Sequence, residues 1–377
     1  MTRFFTHERF GSPQFVAGFL LLLFLAQCVW FCAKAPLTER EVTYVLQGQR
    51  QWRGAEITSN DQPSPATALA ASFPLLWAKA THESFPTTWK WFARMPFMFM
   101  GALFGASLWY VARRLYGNVA GYIALVLYAF SPLAVVRAST VQSSVIADWG
   151  AFGLVFTAIG LAHTLYAPRE VVLWNWKRIL LLGTAIGLGS AAQFAIVILV
   201  PVTLLFMWYL VPERRGAATV IMAAGCAIGF AVLFAAYGFH AQALVNGIRT
   251  SSLFGFMPEA YVNPFVYSRV MLNFLRQPTS LLLFLVALAT YAVWKRARFF
   301  GTTSPLLVFA FVLLLGMALP HQGGLGFYVL ALPFGYVFTA GVITDLLESK
   351  HAAITLGLVI GILLGHLVLS FGGLIRM

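Results

Sequence analysis

Apolar runs about twenty residues long, separated by short polar segments, recur along the whole chain. A hydrocarbon core of ~30 Å takes roughly 20 apolar residues as a helix. On that measure eleven spans can be drawn, at about 15–33, 92–112, 119–136, 145–166, 179–191, 194–211, 217–238, 279–295, 304–319, 324–344 and 352–374. The fifth and sixth admit two readings: a hairpin with a short outer turn near Ser190 to Gln193, or one long tilted helix broken by Pro201. Residues 2–12 show no signal-peptide cleavage pattern, so the first run is expected to be a retained helix.

Only two polar segments are long, roughly 34–91 and 239–278. Within the first, Glu41, Tyr44, Gly48 and Trp52 recur at helical spacing, as do Leu69, Phe73, Leu76 and Ala80. This predicts two interfacial helices on the membrane surface, joined by an irregular stretch from Asn60 to Pro65. The small-residue pairs Gly101/Gly105, Gly117/Gly121, Gly183/Gly187, Gly225/Gly229, Gly357/Gly361 and Gly361/Gly365 predict close helix packing in lipid. The fold class that follows is an all-α integral membrane protein, a single polytopic domain over 1–377. Its core is 15–238, including the outer loop 34–91, and an outer loop and C-terminal helices follow in 239–377.

Composition agrees: 60% of the residues are hydrophobic and 10% charged, which excludes an ordinary soluble domain. The formal charge of +13 does not mark a nucleic-acid binder, because the basic residues form no single soluble patch. Arg3, Arg9, Arg113, Arg114, Arg169, Lys177, Arg178, Arg214, Arg215, Lys295, Arg296, Arg298 and Lys350 all fall on one side of the eleven-span arrangement. By the positive-inside bias that side is cytoplasmic, with the amino terminus inside and the carboxyl terminus outside. Cys28, Cys32 and Cys226 lie in spans and suggest no disulfide framework, and the seven histidines show no metal-ligand spacing, so neither a metal nor another cofactor is expected.

Several short motifs follow one another in a definite order. Arg40-Glu41-Val42-Thr43-Tyr44 stands in the first outer segment, then Asp61-Gln62-Pro63-Ser64-Pro65 leading to Ala70-Ala71-Ser72-Phe73-Pro74-Leu75-Leu76-Trp77, then Ala93-Arg94-Met95-Pro96. Ala112-Arg113-Arg114-Leu115-Tyr116-Gly117 and Ala129-Phe130-Ser131-Pro132 come next. Over roughly 15–215 this resembles the GT-C fold membrane glycosyltransferases of the protein-O-mannosyltransferase and aminoarabinose-transferase type. The resemblance implies a polyprenyl-phosphate-linked sugar donor drawn from the membrane lipid, transfer to an acceptor on the outer face, and a bacterial inner (plasma) membrane location. It also implies a catalytic acid pair in the first outer segment, since a carboxylate must accept the acceptor's proton and cations must balance the leaving lipid phosphate.

Glu41 and Tyr44 keep the places of that D-E-x-x-Y-like element, but Arg40 replaces its leading aspartate and stays protonated. The positive charge of Arg40 is expected to lower the pKa of Glu41. A second acid is then required, from Glu39 or from Asp148, for which Arg137 is the expected partner. Gln62 stands where the family has a histidine, and Gln193 where it has a lysine. Lys79, Lys90, Arg94, Arg137, Arg249, Arg269 and Arg276 are candidate lipid-phosphate contacts, with Tyr44, Asp61 and Arg40 as further substrate contacts. The accumulated departures leave a second reading open, a catalytically degenerate GT-C-fold protein serving as an accessory subunit among other membrane protein subunits. A transporter ranks third, because the spans offer few polar groups beyond Asp148, His163, Gln193 and His366.

Overall fold

The computed structural model describes residues 12–54, 64–77, 85–166, 175–251, 262–265, 268, 278–293, 299–318, 326–348 and 352–376. Asp61, Lys79, Arg269 and Arg276 lie outside them. All the regular structure among the described residues is helical, and each of the eleven apolar runs overlaps described helix. Five helices there are long and apolar enough to cross a membrane: Pro13–Lys34, Thr87–Tyr116, Ser143–Thr164, Pro212–Ala236 and Leu330–Leu347. A sixth is added if the bent pair Asn118–Ala129 and Pro132–Ala138 counts as one span.

The chain divides into two compact units, one of 1–34, 101–136 and 256–377, the other of 35–100 and 137–255. In the first, α1 (Ser12–Lys34) packs on α5 (Asn118–Ala129). Helix α14 (Gly326–Leu347) packs on α5, α12 (Pro278–Val293), α13 (Phe299–Ala318) and α15 (Ala352–Arg376). Ala287 of α12 and Phe338 and Val342 of α14 form a small apolar core against Tyr291, Leu306 and Leu346.

The third run is not one straight helix. Pro132 has no N–H to continue α5 and disfavours the helical region for Ser131. The Ser131 N–H therefore bonds the Tyr128 carbonyl, and α6 (Pro132–Ala138) leaves at 69°. The freed Ala129 carbonyl accepts a hydrogen bond from Gln27 Nε2 of α1 at 3.1 Å. In an apolar medium an unsatisfied carbonyl there would be costly, which explains a buried glutamine in the middle of α1.

The second unit holds the first outer segment and the most closely packed helices. Here α2 (Glu39–Trp52) packs on α3 (Pro65–Ser72), which a turn of 3-10 helix extends to Leu75. The predicted helix pair is thus present, its second member shorter than the spacing suggested because Pro74 interrupts it. Helix α8 (Trp176–Ala192) lies between α7 (Ser143–Thr164) and α10 (Arg215–Ala236). Its Gly183/Gly187 pair faces Gly225/Gly229 of α10: a Cβ added at Gly187 would lie 2.7 Å from the Gly229 carbonyl. On its other side, a Cβ at Gly150 of α7 would lie 2.6 Å from the Gly189 Cα. By contrast Gly357, Gly361 and Gly365 of α15 have no described atom within 4 Å of such a Cβ, so that stripe mediates no close packing among the described residues.

The stretch 179–211 breaks at Gln193, which is extended, and resumes as a 3-10 turn running into α9 (Leu199–Leu210). Pro201 sits harmlessly in the first turn of α9. Two further α-helices are α4 (Lys90–Tyr116) and α11 (Ala241–Arg249).

Gly48 is where α2 and α3 touch, since a Cβ there would lie 2.0 Å from the Ala68 carbonyl oxygen and 2.2 Å from Ser72 Oγ. Gly48→Ala is expected to destabilise the protein by about 1–3 kcal/mol, read as a lowered Tm in detergent micelles. Gly18→Ala, which meets nothing within 4 Å, should leave Tm unchanged or slightly raised.

Candidate functional site

Helix α2 begins at a capping box. Thr38 Oγ1 accepts from the Glu41 N–H at 3.3 Å, and Glu41 Oε2 accepts from the Thr38 N–H at 2.9 Å, so two orphan donors of the helix end are satisfied reciprocally. The same carboxylate is held from two distant parts of the chain. Arg94, completely buried, donates Nε to Oε1 at 2.8 Å and Nη2 to Oε2 at 2.7 Å, a bidentate pair. The Val141 N–H donates to Oε1 at 2.9 Å, and the Thr38 hydroxyl to Oε2 at 3.0 Å.

Glu41 therefore accepts five hydrogen bonds and is 2% exposed. Arg94 also donates to the carbonyls of Ala35 (3.0 Å) and Pro36 (2.7 Å). One ion pair thus joins the segment leaving α1, the start of α2, helix α4 and the loop between α6 and α7. Burial by itself would raise the Glu41 pKa. The hydrogen bonds from Arg94 and from the Thr38 and Val141 N–H groups, with the Arg94 charge, outweigh it, and the carboxyl lies below its ordinary value.

The cation responsible is Arg94 and not Arg40. Arg40 is exposed, its guanidinium 5.9 Å from the centre of the Tyr44 ring, because adjacent helix residues point ~100° apart. Glu39 is exposed on the first turn of α2, where its backbone carbonyl accepts from the Thr43 hydroxyl. Tyr44 is buried one turn below Glu41.

A second ion pair joins Arg137, at the end of α6, to Asp148 in α7, with Nη1 donating to Oδ2 at 3.1 Å. The two residues expected to pair do so. The other carboxylate oxygen, Asp148 Oδ1, is buried and has no hydrogen-bond partner among the described residues, and neither has Ser144 Oγ, one turn earlier in α7. Ser190 Oγ near the end of α8 is likewise buried and unpartnered, while Ser64 Oγ caps that helix by donating to the Ala192 carbonyl at 2.8 Å. Of these two buried carboxylates, Glu41 is saturated and Asp148 has an acceptor to spare. No group of three His, Cys, Asp or Glu side chains that could hold a metal occurs among the described residues.

Sequence reading missed three participants: Thr38, Val141 and Ser64. Thr38 was legible, because Thr-x-x-Glu before an apolar periodic run is a capping-box signature. Val141 contributes through its backbone N–H and Ser64 reaches a helix end 128 residues away, so neither left a local signal.

No protein-family model and no curated protein sequence matches the chain. Solved structures do. The Archaeoglobus fulgidus oligosaccharyltransferase in the apo form matches 95% of this chain and 55% of its own with a TM-score of 0.67 at 13% identity. The archaeal oligosaccharyltransferase AglB from the same organism, in complex with an inhibitory peptide and a dolichol-phosphate, matches 96% of this chain and 56% of its own, with a TM-score of 0.63 at 13% identity. The S. cerevisiae protein O-mannosyltransferase Pmt1-Pmt2 complex bound to the sugar donor matches 64% of this chain and 35% of its own, with a TM-score of 0.50 at 14% identity. The chain spans about half the length of the archaeal structures it resembles. These are GT-C fold glycosyltransferases, and this integral membrane protein has the GT-C fold. At such identities the likeness is one of fold alone.

The Arg94–Glu41 pair carries a stability prediction. Removing one partner of a buried pair leaves an uncompensated charge, so Glu41→Gln and Arg94→Leu should each destabilise by about 3–5 kcal/mol. Because the folded-state pKa of Glu41 lies below its ordinary 4.5, its contribution is full above that value and is lost as pH falls through the depressed one. The Tm of the wild type should fall with acidification below 4.5, and Glu41→Gln should flatten that dependence. An unchanged slope in the variant would remove Glu41 as its source.

Proposed function

We propose that this protein is a GT-C-type glycosyltransferase that moves a sugar from a polyprenyl-phosphate donor to an acceptor on the outer face of the membrane. The observation that carries the reading is the unpartnered, buried oxygen of Asp148 beside the Arg137 guanidinium. Oδ1 takes the proton of the acceptor group, the acceptor atom bonds to the anomeric carbon, the bond from that carbon to the phosphate oxygen breaks, and Arg137 balances the charge on the departing polyprenyl phosphate. Glu39, exposed at the start of α2, is the second acid, with Arg40 beside it, and Tyr44 lies under Glu41. Glu41 and Arg94 act as positioning residues, fixing the loop before Asp148 through the Val141 N–H. Asp61 is retained as a substrate contact.

The accompanying topology is eleven spans in one polytopic domain of a bacterial inner membrane, amino terminus inside and carboxyl terminus outside. Five hydrogen bonds on Glu41 favour one alternative, in which the chain has lost catalysis and serves as an accessory subunit. Such saturation leaves that carboxylate no lone pair aimed at a substrate.

With polyprenyl-phosphate-linked hexoses and the purified protein, assayed well below the variant's own Tm, Asp148→Asn should lower transfer at least ~10²-fold, the scale of a lost acid–base group; its Tm should also fall, because Arg137 loses a largely buried partner. Equal transfer by wild type and variant would dispose of this site. No transfer by the wild type with any such donor, together with co-purification of a fixed partner, would favour the accessory subunit. A reporter fused after Arg298 should report a cytoplasmic position, and an outside position would overturn the eleven-span topology from there on.

A further inference from the structure

We propose that the 73–77 turn and Trp52 form a lipid-inserting edge that anchors the first outer segment in the boundary between headgroups and acyl chains. Arg113 and Arg114 mark the basic end of α4, and roughly 20 residues cross the hydrocarbon, so counting back from Arg113 reaches the neighbourhood of Ala93. The candidate span begins at Thr87 and is 30 residues long. Trp89, Lys90 and Trp91 consequently stand at the headgroup level, where tryptophan and lysine are the usual anchors.

The ring of Trp77 packs edge-on against Trp89, centroids 5.9 Å apart, and Phe85 packs on Trp89 at 5.5 Å. The turn that ends α3 is thereby tied to the same level. Phe73, at the start of that turn, meets Trp52 of α2 at 6.1 Å. Trp77, Phe73 and Trp52 are 70%, 62% and 48% exposed, an outlay of apolar surface that an aqueous setting would disfavour.

Hydrogen bonding decides how deep this edge can go. An indole at the interface ordinarily keeps its N–H toward water or headgroups. Here Trp77 Nε1 donates to the Pro74 carbonyl at 2.9 Å, and Trp52 Nε1 to the Leu69 carbonyl at 3.3 Å. With both N–H groups satisfied inside the protein, the ring faces enter the upper acyl region without leaving a donor unpaired. Arg50 and Arg53, exposed at the end of α2 beside Trp52, stand where anionic headgroups would lie. The occupant is bilayer lipid, and the anchoring stands whether or not the chain transfers sugar.

The test replaces Trp77, Phe73 and, separately, Phe99 with p-benzoylphenylalanine in the full chain, reconstituted in nanodiscs of phosphatidylcholine and phosphatidylglycerol. Phe99 is 60% exposed on α4 and reports the membrane face of that span. Irradiation followed by mass spectrometry should give acyl-chain adducts at 73 and 77 in yields comparable to 99. Adducts at 99 with none at 73 and 77, or adducts at 73 and 77 only to protein, would overturn the proposal. A native-protein readout runs alongside, since fluorescence quenching by lipids brominated near the headgroup should fall in Trp77→Phe relative to wild type. Equal quenching in both would count against insertion.

Discussion

The second unit is organised around a bidentate ion pair taken out of water. Arg94 and Glu41 are 53 residues apart and almost wholly buried, and two backbone carbonyls and two backbone N–H groups converge on them. A buried pair is weak evidence for net stability, because desolvation offsets much of the Coulombic gain. Its value here is geometric. Arginine's planar fork meets both carboxylate oxygens in one orientation, so the start of α2 and the loop before α7 have a single place relative to α4.

The same constraint operates differently in the first unit, where the medium is apolar and backbone groups must find partners inside the protein. Pro132 breaks the third apolar run, and Gln27 of α1 satisfies a carbonyl the break exposes. The 69° bend is what carries α6 away from the line of α5 toward Arg137 at its end. A proline whose local effect is disruptive thus sets the direction of the element that ends in one member of the second ion pair.

The two carboxylates show how one residue type takes different roles through its surroundings. Glu41 is surrounded by donors, which keep it ionised and leave nothing to offer a substrate. Asp148 has one donor, on one oxygen. A resemblance of motif pointed to Glu41 first, because its place in the D-E-x-x-Y-like element is the recognisable one. The proposed reaction rests instead on Asp148, whose hydrogen-bonding capacity is incomplete.

How much was legible follows from the range of each interaction. Run length gave the helices, since it is a property of consecutive residues. Periodicity gave α2 and α3, and the small-residue pairs gave the close approach of α8 and α10. The Arg137–Asp148 pair could be anticipated because only one short loop and parts of two helices separate its members. What the sequence by itself determined was therefore local: where helices form, which faces are small, which residues can ionise. The tertiary structure alone decided that Arg94 rather than Arg40 sets the charge of Glu41 and that Ser64 caps α8. Those outcomes depend on groups brought together from 53 to 128 residues apart, and no spacing along the chain encodes a contact that exists only once the helices have packed.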